Sequence, residues 1–368
     1  MPFRRAAVVA VLLAAAALAA AWAPVPNRLE LLVRHFDAPN YLVVAKTFYV
    51  PTDVNPLPGY VRAPKYFAAH TPLFPIVIRA CSFGIGLPKG LAVATFVLAA
   101  ASAVMCALWA REAAPEIPAA IAVLAFLLLP ARMFLYRALG ASEALMSLCV
   151  LGAAYAWRRG RTDWALFAAA LATVTRTNGV LVVAVVCLFL LARRRWSAAF
   201  GGGALAALPL LLLFTWYAYL FGDFFALLHV HADSAQGPGR LGPPFAFIGE
   251  MASRNDWETA EMLLALHLFY VLCAARLWAR GERFEAALVA AHVVLLSLLR
   301  ERDLARYYLT VAPFAVVLAW REVWARPRLA AAVLAVLGPV SVYYTWRTLP
   351  MNLASPEATA ALLKFLAS

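Results

Sequence analysis

Long apolar runs dominate the sequence, and short arginine-containing segments separate them. A membrane-crossing helix needs about 20 mainly apolar residues, so the runs predict membrane helices. They predict an all-α polytopic membrane protein with about eleven transmembrane helices, in one domain over residues 1–368. The runs lie near residues 6–23, 90–110, 117–131, 139–157, 163–175, 178–192, 199–221, 259–279, 285–299, 305–320 and 329–346.

The composition supports a membrane protein. The sequence is 65% hydrophobic and 14% charged, whereas soluble domains are about 45–50% apolar and about 25% charged. The net charge is +13, but arginines at the ends of apolar runs indicate basic cytoplasmic loops. No basic patch is interleaved with aromatic residues, so a nucleic-acid partner is not expected.

The arginine distribution predicts the topology. If every run crosses, the basic loops, among them 158–161 and 193–195, all lie in the cytoplasm with the N-terminus. The first run then serves as an uncleaved signal anchor, although a cleaved signal peptide has the same pattern. Two large loops, 24–89 and 222–258, lie outside. Segments 39–50 and 72–87 of the first loop are too short to cross, and we expect interfacial or re-entrant helices there.

Several arginines lie in loops that this topology places outside the cytoplasm, against the positive-inside rule. Arg176 lies in "LATVTRTNGVLVV", at the tip between two apolar runs too short to reach the outer surface. An arginine at that depth needs a cavity or a partner, so it either binds an anion, caps the preceding helix or pairs with Glu143. Arg306, in "LLRERDLARYYLTVAPF", either grips a phosphate or pairs with Glu301 and Asp303. Arg137 precedes the apolar segment that contains Glu143.

Two acids stand out on the same side. Asp37 is the lone acid of "LLVRHFDAPNYL", directly after the first apolar run. It is either a catalytic base or the N-cap of a helix that begins near Pro39. Glu143 is either a partner of Arg176, a sugar contact or a first-turn acid at a positive helix end.

Segments in a particular order carry a family resemblance. They are "RHFDAPNYLVVAKTFYV", "HTPLFPIVIR", "SEALMSL" followed by "LATVTRTNGVLVV", "FGDFFALLHVHADSAQG" and "ARYYLTVAPF". Together they resemble the GT-C glycosyltransferases, polytopic enzymes that use polyprenyl-phosphate sugars. The sequence looks most like the membrane mannosyltransferase family that includes GPI mannosyltransferase II. That family usually has tryptophan where Phe36 stands and a more aromatic run at "AAHTPLFP", so the subfamily and the sugar stay open.

The resemblance implies an inverting enzyme with Asp37 as its base and an extracytoplasmic active site in the plasma or bacterial inner membrane. It implies a polyprenyl-phosphate sugar donor, carrying mannose or another hexose, and a lipid or glycan acceptor. No cofactor is expected, and metal dependence stays open. A transporter or flippase is the main alternative, and a non-catalytic assembly subunit the second. The expected substrate-binding residues are Arg176, Arg306, Arg137, Glu143, His35, His70, Asn178 and Tyr307.

Overall fold

A computed structural model describes residues 3–59, 64–233, 241–300 and 303–368, and these residues form a helical bundle. The only β-structure in these ranges is two isolated bridges, His35 with Leu353 and Leu241 with Leu299. The α-helices are α1 (Phe3–Ala21), α2 (Arg28–Arg34), α3 (Ala38–Thr47), α4 (Leu73–Cys81), α5 (Leu87–Ala113), α6 (Ala119–Leu128), α7 (Ala131–Ala138), α8 (Glu143–Arg158), α9 (Thr162–Thr173), α10 (Val180–Ala192), α11 (Trp196–Phe221), α12 (Ala226–Asp233), α13 (Ala246–Ser253), α14 (Trp257–Ala279), α15 (Arg283–Ser297), α16 (Leu304–Tyr307), α17 (Arg321–Trp324), α18 (Pro327–Thr348) and α19 (Pro356–Ala367).

Five helices of the described chain are long and apolar enough to cross a membrane: α1, α5, α11, α14 and α18. The pair α6 and α7 reaches the required length together but is bent by 83°, and would make a sixth span. The protein is thus a multi-pass membrane protein by helix length and composition. The prediction of about eleven spans is wrong in number.

Helix length explains the error. The apolar runs of α8, α9, α10 and α15 form helices of 16, 12, 13 and 15 residues. At about 1.5 Å per residue these helices rise about 18–24 Å, less than the hydrocarbon thickness of about 30 Å. The apolar run at 305–320 is divided among α16, a 3₁₀ turn at Tyr308–Thr310 and a π-helical turn at Phe314–Leu318. Hydropathy does not distinguish apolar residues in tips and turns from those in membrane-spanning helices, so both were included in the predicted spans.

The core of the bundle lies around α5 and α8. Small side chains such as Ala94, Ala99 and Ala103 line the buried face of α5, and α8 is buried along nearly its whole length. Small residues let membrane helices approach closely, which favours this packing. By contrast α11 and α18 are mostly exposed and apolar, as expected of lipid-facing helices.

The first predicted outside loop corresponds to the segment between α1 and α5, and the second to the segment between α11 and α14. Helices form at both expected places in the first loop, as α3 and α4. Residues 38–45 of α3 are buried, so this helix packs inside the protein, close to α2, α4 and α5.

Ionic groups gather at the two opposite ends of α8. Glu143 begins the helix and contacts Arg176 and Arg306. Arg158 ends it and contacts Glu282 and Glu285. The charged residues that the sequence assigned to opposite sides of the membrane are therefore separated by the length of this helix, about 24 Å.

Candidate functional site

Asp37 occupies the turn between α2 and α3, at the N-cap position of α3. Its side chain makes no capping hydrogen bond to the helix within the described residues. It accepts instead from Arg306, whose Nη2 lies 2.7 Å from Asp37 Oδ2, and it lies 3.6 Å from His70 Nε2. Asp37 therefore has the predicted N-cap position of α3, but its carboxylate pairs with Arg306 and does not cap the helix.

Asp37, Arg306, Glu143 and Arg176 form one ion-pair network. The Nε of Arg306 contacts Glu143 Oε1, and Nη1 of Arg176 lies 2.6 Å from the same oxygen. The Glu143 side chain is 2% exposed, those of Arg306 and Arg176 are 10% and 11%, and that of Asp37 is 23%. Burying a charge is costly without a partner, which explains the strict alternation of sign. The network opens toward the surface at Asp37.

The pairing alternatives are thereby resolved for two arginines. Arg176 contacts Glu143, as the ion-pair alternative predicted. Arg306 contacts Asp37 and Glu143, whereas Asp303 pairs with Arg132. Glu301, the other acid predicted to pair with Arg306, lies outside the described residues.

Aromatic rings cover the two arginines. The guanidinium of Arg306 lies 4.5 Å from the ring centre of Phe36 and 4.7 Å from that of Tyr136. That of Arg176 lies 5.5 Å from the ring of Tyr307. Cation–π contacts of this kind stabilise a cation by about 0.5–2 kcal/mol while excluding water. Tyr307 thus lies beside the network, with its ring against the guanidinium of Arg176.

The electrostatics of Asp37 follow from these contacts. Burial alone would raise its pKa, but the charge of Arg306, together with the nearby His70 ring, outweighs burial and holds the pKa of Asp37 well below its ordinary value. Asp37 is therefore a carboxylate at neutral pH. It is also a weak base for as long as Arg306 stays bound.

His70 lies at the second oxygen of Asp37. The Tyr41 ring packs edge-on against His70, with 5.2 Å between ring centres, and the Tyr49 hydroxyl donates to the His70 carbonyl at 2.6 Å. Tyr41 also donates to Ser142 Oγ at 3.0 Å, beside Glu143. These contacts connect the loop that carries Asp37 with the N-terminus of α8.

Two other predicted residues, His35 and Asn178, have different surroundings. His35 is buried beside Phe36, and burial lowers its pKa to about 4, against the weaker opposing effects of the Thr348 backbone and the Asp37 charge. Asn178 donates to Thr310 Oγ1 at 2.9 Å and so fixes the Arg176 tip to the segment after α16. Both lie next to the network without an ion pair or hydrogen bond to it in the described chain.

Arg137 is not brought to the network. Its Nη1 donates to the carbonyls of Phe126 and Leu127, the latter at 2.9 Å, and its guanidinium lies 3.7 Å from the Phe126 ring centre. The residue is 2% exposed. Because α7 folds back against α6 at the 83° bend, Arg137 covers the carbonyls at the end of α6. The expectation that it joins Arg176 and Arg306 at a phosphate is therefore corrected.

Close packing fixes the Arg176 tip. Thr71 Oγ1 donates to the Thr175 carbonyl at 2.6 Å, and the Leu73 amide donates to the Val174 carbonyl at 3.0 Å. A Cβ on Gly179 would lie 2.1 Å from the Ala172 carbonyl oxygen. Glycine is therefore needed for the tip to turn back onto α9.

A C-terminal segment also positions Asp37, and sequence reasoning missed it. The Phe36 amide donates to the Asn352 carbonyl at 3.0 Å, and the Ala354 amide donates to the Arg34 carbonyl at 2.8 Å. Nε and Nη2 of Arg34 both donate to the Ala354 carbonyl at 3.2 Å. We call residues 352–354 the C-terminal strap. These backbone contacts have no hydrophobic pattern or motif in the sequence that could have indicated them.

Several buried polar atoms in and next to the network have no hydrogen-bond partner in the described chain. They include Glu143 Oε2, His70 Nδ1, Asn178 Oδ1 and Asn40 Oδ1, while Arg137 Nε, His292 Nε2 and Trp320 Nε1 are examples away from it. Buried polar atoms normally have partners, so those in the network are available to a polar ligand. The described residues contain no group of three or more His, Cys, Asp and Glu side chains arranged to hold a metal ion.

The arrangement can supply a carboxylate base at an accessible position, with two cations next to it in a water-poor environment.

No protein-family model and no curated protein matches the sequence.

Proposed function

We propose that the protein is an integral-membrane inverting glycosyltransferase. It transfers mannose or another hexose from a polyprenyl-phosphate donor to a lipid or glycan acceptor at the extracytoplasmic face. One observation carries the proposal: the accessible carboxylate of Asp37 stands 2.7 Å from an arginine in a buried network at one end of the helical bundle. The ordered resemblance to GT-C glycosyltransferases supports the same assignment of Asp37.

The transfer needs a base, cations for the leaving group and protection from water. An acceptor hydroxyl attacks the anomeric carbon, and its proton passes to Asp37. The bond between the anomeric carbon and the phosphate oxygen breaks, and its electron pair leaves with the phosphate. The donor phosphodiester, with one negative charge, becomes a phosphomonoester with two, and Arg306 and Arg176 lie where they can stabilise the added charge.

Inversion follows from a single displacement with one base. A retaining enzyme typically uses a second carboxylate as a nucleophile on the reacting sugar. Glu143 is unsuited to that role because its side chain is 2% exposed and contacts two arginines. It orients the arginines, and Asp37 is the accessible acid of the network.

The experiment incubates the purified full-length protein in nanodiscs with a panel of polyprenyl-phosphate hexoses and an acceptor extract, and measures transfer and sugar release. We expect transfer from one donor, and loss of about 10²-fold or more in kcat for Asp37→Asn with the protein still folded. Asp53→Asn, which changes an exposed acid of the same loop, is the matched control and should retain activity.

Two outcomes would contradict the proposal. One is normal turnover by Asp37→Asn. The other is absence of transfer from every donor together with vectorial movement of lipid or solute across vesicles, which would establish a transporter or flippase. Ionisable groups reachable from both sides would suit a transporter. The Asp37 network lies at one end of α8, and the separate Arg158 cluster at the other end shares none of its residues.

A further inference from the structure

Both arginines of the ion-pair network already have carboxylate partners. Arg176 is paired with Glu143, and Arg306 with Glu143 and Asp37. Two positive and two negative charges therefore cancel. An anionic phosphate gains little from a neutral site unless one of these contacts gives way, so a bound phosphate needs an arginine that exchanges partners.

The geometry indicates which contact gives way. Glu143 Oε1 accepts from both arginines, and the Glu143 side chain is 2% exposed. Separating it from them would leave Arg176 and Glu143 itself buried without an ion-pair partner, which is strongly unfavourable. The contact between Arg306 Nη2 and Asp37 Oδ2 is at the opposite end, where the Asp37 side chain is 23% exposed and a ligand can reach it.

We propose that Arg306 is an exchangeable clamp on the base: its Nη2 passes from Asp37 Oδ2 to an oxygen of the lipid-linked phosphate, while Glu143 keeps hold of Nε. This inference rests on the proposed function. It makes the donor phosphate the trigger that frees the base for the acceptor hydroxyl.

The anchoring by Glu143 makes the exchange a small movement. Nε and Nη2 belong to one planar guanidinium, so rotation about the end of the side chain moves Nη2 while Nε stays near Glu143. The ring centres of Phe36 and Tyr136 lie 4.5 and 4.7 Å from the guanidinium, so cation–π contacts stabilise the cation while Nη2 changes partners. The cation remains paired throughout, first with two carboxylates and then with one carboxylate and a phosphate.

The exchange also matches the charges of the reaction. While Arg306 is bound, it lowers the pKa of Asp37, so its departure strengthens the base. In the displacement the leaving phosphate gains one negative charge as Asp37 takes up the proton and becomes neutral. The phosphate then has no competitor for Nη2 of Arg306. When Asp37 loses that proton to solvent, its charge returns, and re-forming the ion pair favours release of the lipid phosphate.

The test measures binding without turnover. Isothermal titration calorimetry records the affinity of citronellyl phosphate for the full-length protein in nanodiscs, with no sugar donor or acceptor present. We expect Asp37→Asn to bind this lipid phosphate about tenfold more tightly than the wild type, because Arg306 is then free of its competitor. Arg306→Gln should bind it about tenfold more weakly. Asp53→Asn, the surface control, should bind like the wild type.

A double-mutant cycle separates the exchange from general electrostatics. If Asp37 competes for Arg306, then Asp37→Asn should change affinity by less than about twofold in the Arg306→Gln background. An equal gain in both backgrounds would overturn the clamp, and so would unchanged or weaker binding by Asp37→Asn. Asp37→Ser also removes the charge and takes the place of Asp37→Asn if the latter does not fold.

Inorganic phosphate serves as the second ligand. If Asp37→Asn increases the affinity for citronellyl phosphate but not for inorganic phosphate, a lipid-linked ligand is supported. If it increases the affinity for inorganic phosphate alone, that part of the inference is overturned. The outcome is independent of the transfer assay. A protein that transfers sugar without the affinity gain retains the proposed function and loses the clamp, and a protein with the affinity gain but no transfer retains the exchange and loses the glycosyltransferase assignment.

Discussion

Arg306 and Asp37 are 269 positions apart in the sequence and make an ion pair of 2.7 Å. Asp37 comes from the turn before α3 and Arg306 from α16, so the helical bundle has to bring two distant parts of the sequence together to complete the site. Each contact that holds either residue in place thereby becomes a means of testing the site.

Glu143 is the first such contact. Glu143→Gln leaves Arg176 and Arg306 buried with only a neutral amide between them. Breaking a buried ion pair by removing one partner costs about 3–5 kcal/mol, so we expect a clear loss of thermal stability. Differential scanning fluorimetry in detergent measures the change in Tm. Glu250→Gln, which removes an exposed pair with Arg254, should cost about 0.5 kcal/mol or less. Equal shifts in Tm for the two variants would contradict the buried network.

The sequence predicted the members of this network better than their arrangement. An ionisable residue next to an apolar run usually has a paired partner or a functional role, and this identified Asp37, Glu143, Arg176 and Arg306. Their pairing could not be derived, since Arg306 had nearer acids in the sequence and the choice of Glu143 depends on packing between α8 and the α16 segment.

The number of spans, the burial of α3 and the surroundings of Arg137 were less clearly indicated by the sequence. The number of spans was overestimated because hydropathy does not show where a helix ends. The apolar run at 305–320, for example, is divided between the short helix α16 and two further short turns. The burial of α3 was missed because a short apolar helix looks the same at a membrane interface and under neighbouring helices. Arg137 was assigned to the phosphate because the bend between α6 and α7 could not be foreseen.

The second prediction concerns the C-terminal strap. Arg34→Gln removes the guanidinium contacts with the Ala354 carbonyl and loosens the backbone next to Phe36 and Asp37. Positioning errors reduce the rate of the chemical step, so we expect kcat to fall by about tenfold with little change in KM. Sugar-transfer kinetics provide the measurement. Arg28→Gln is the matched control on the same helix, since Arg28 donates to Val25 and not to the strap. An equal loss of kcat in both variants would argue against positioning by the strap.

The Arg176 tip gives the third prediction. Gly179→Ala places a methyl group where a Cβ would be 2.1 Å from the Ala172 carbonyl, so the tip or α9 has to move. Overpacking of this kind typically costs about 1–3 kcal/mol. We expect a lower Tm and weaker binding of citronellyl phosphate, because Arg176 moves with the tip. Gly152→Ala is the control, since its Cβ would make an ordinary contact of 3.7 Å with Ala168. Unchanged stability of Gly179→Ala would show that the tip adapts.

The fourth prediction is a pH dependence that comes from His35. Burial lowers the pKa of His35 from 6.5 to about 4, so the native protein holds the ring neutral. Between these two values the unfolded chain binds more protons than the native one, and stability rises with pH. The contribution of His35 is therefore complete above pH 6.5 and is lost as the pH falls toward 4, a change of about 3 kcal/mol at most. The pKa of Asp37 lies lower still, so its titration belongs below this window.

Urea or thermal unfolding of the detergent-solubilised protein at several pH values measures this effect. His35→Phe keeps an aromatic ring in the buried position and cannot take up a proton. Its free energy of unfolding should therefore fall less than that of the wild type between pH 6.5 and 4. His229→Gln, at an exposed position on α12, is the control and should keep the slope of the wild type. If His35→Phe retains the full slope, the pH dependence originates in another group. In that case, contacts that favour the charged imidazole in the native protein offset the effect of burial on the pKa of His35.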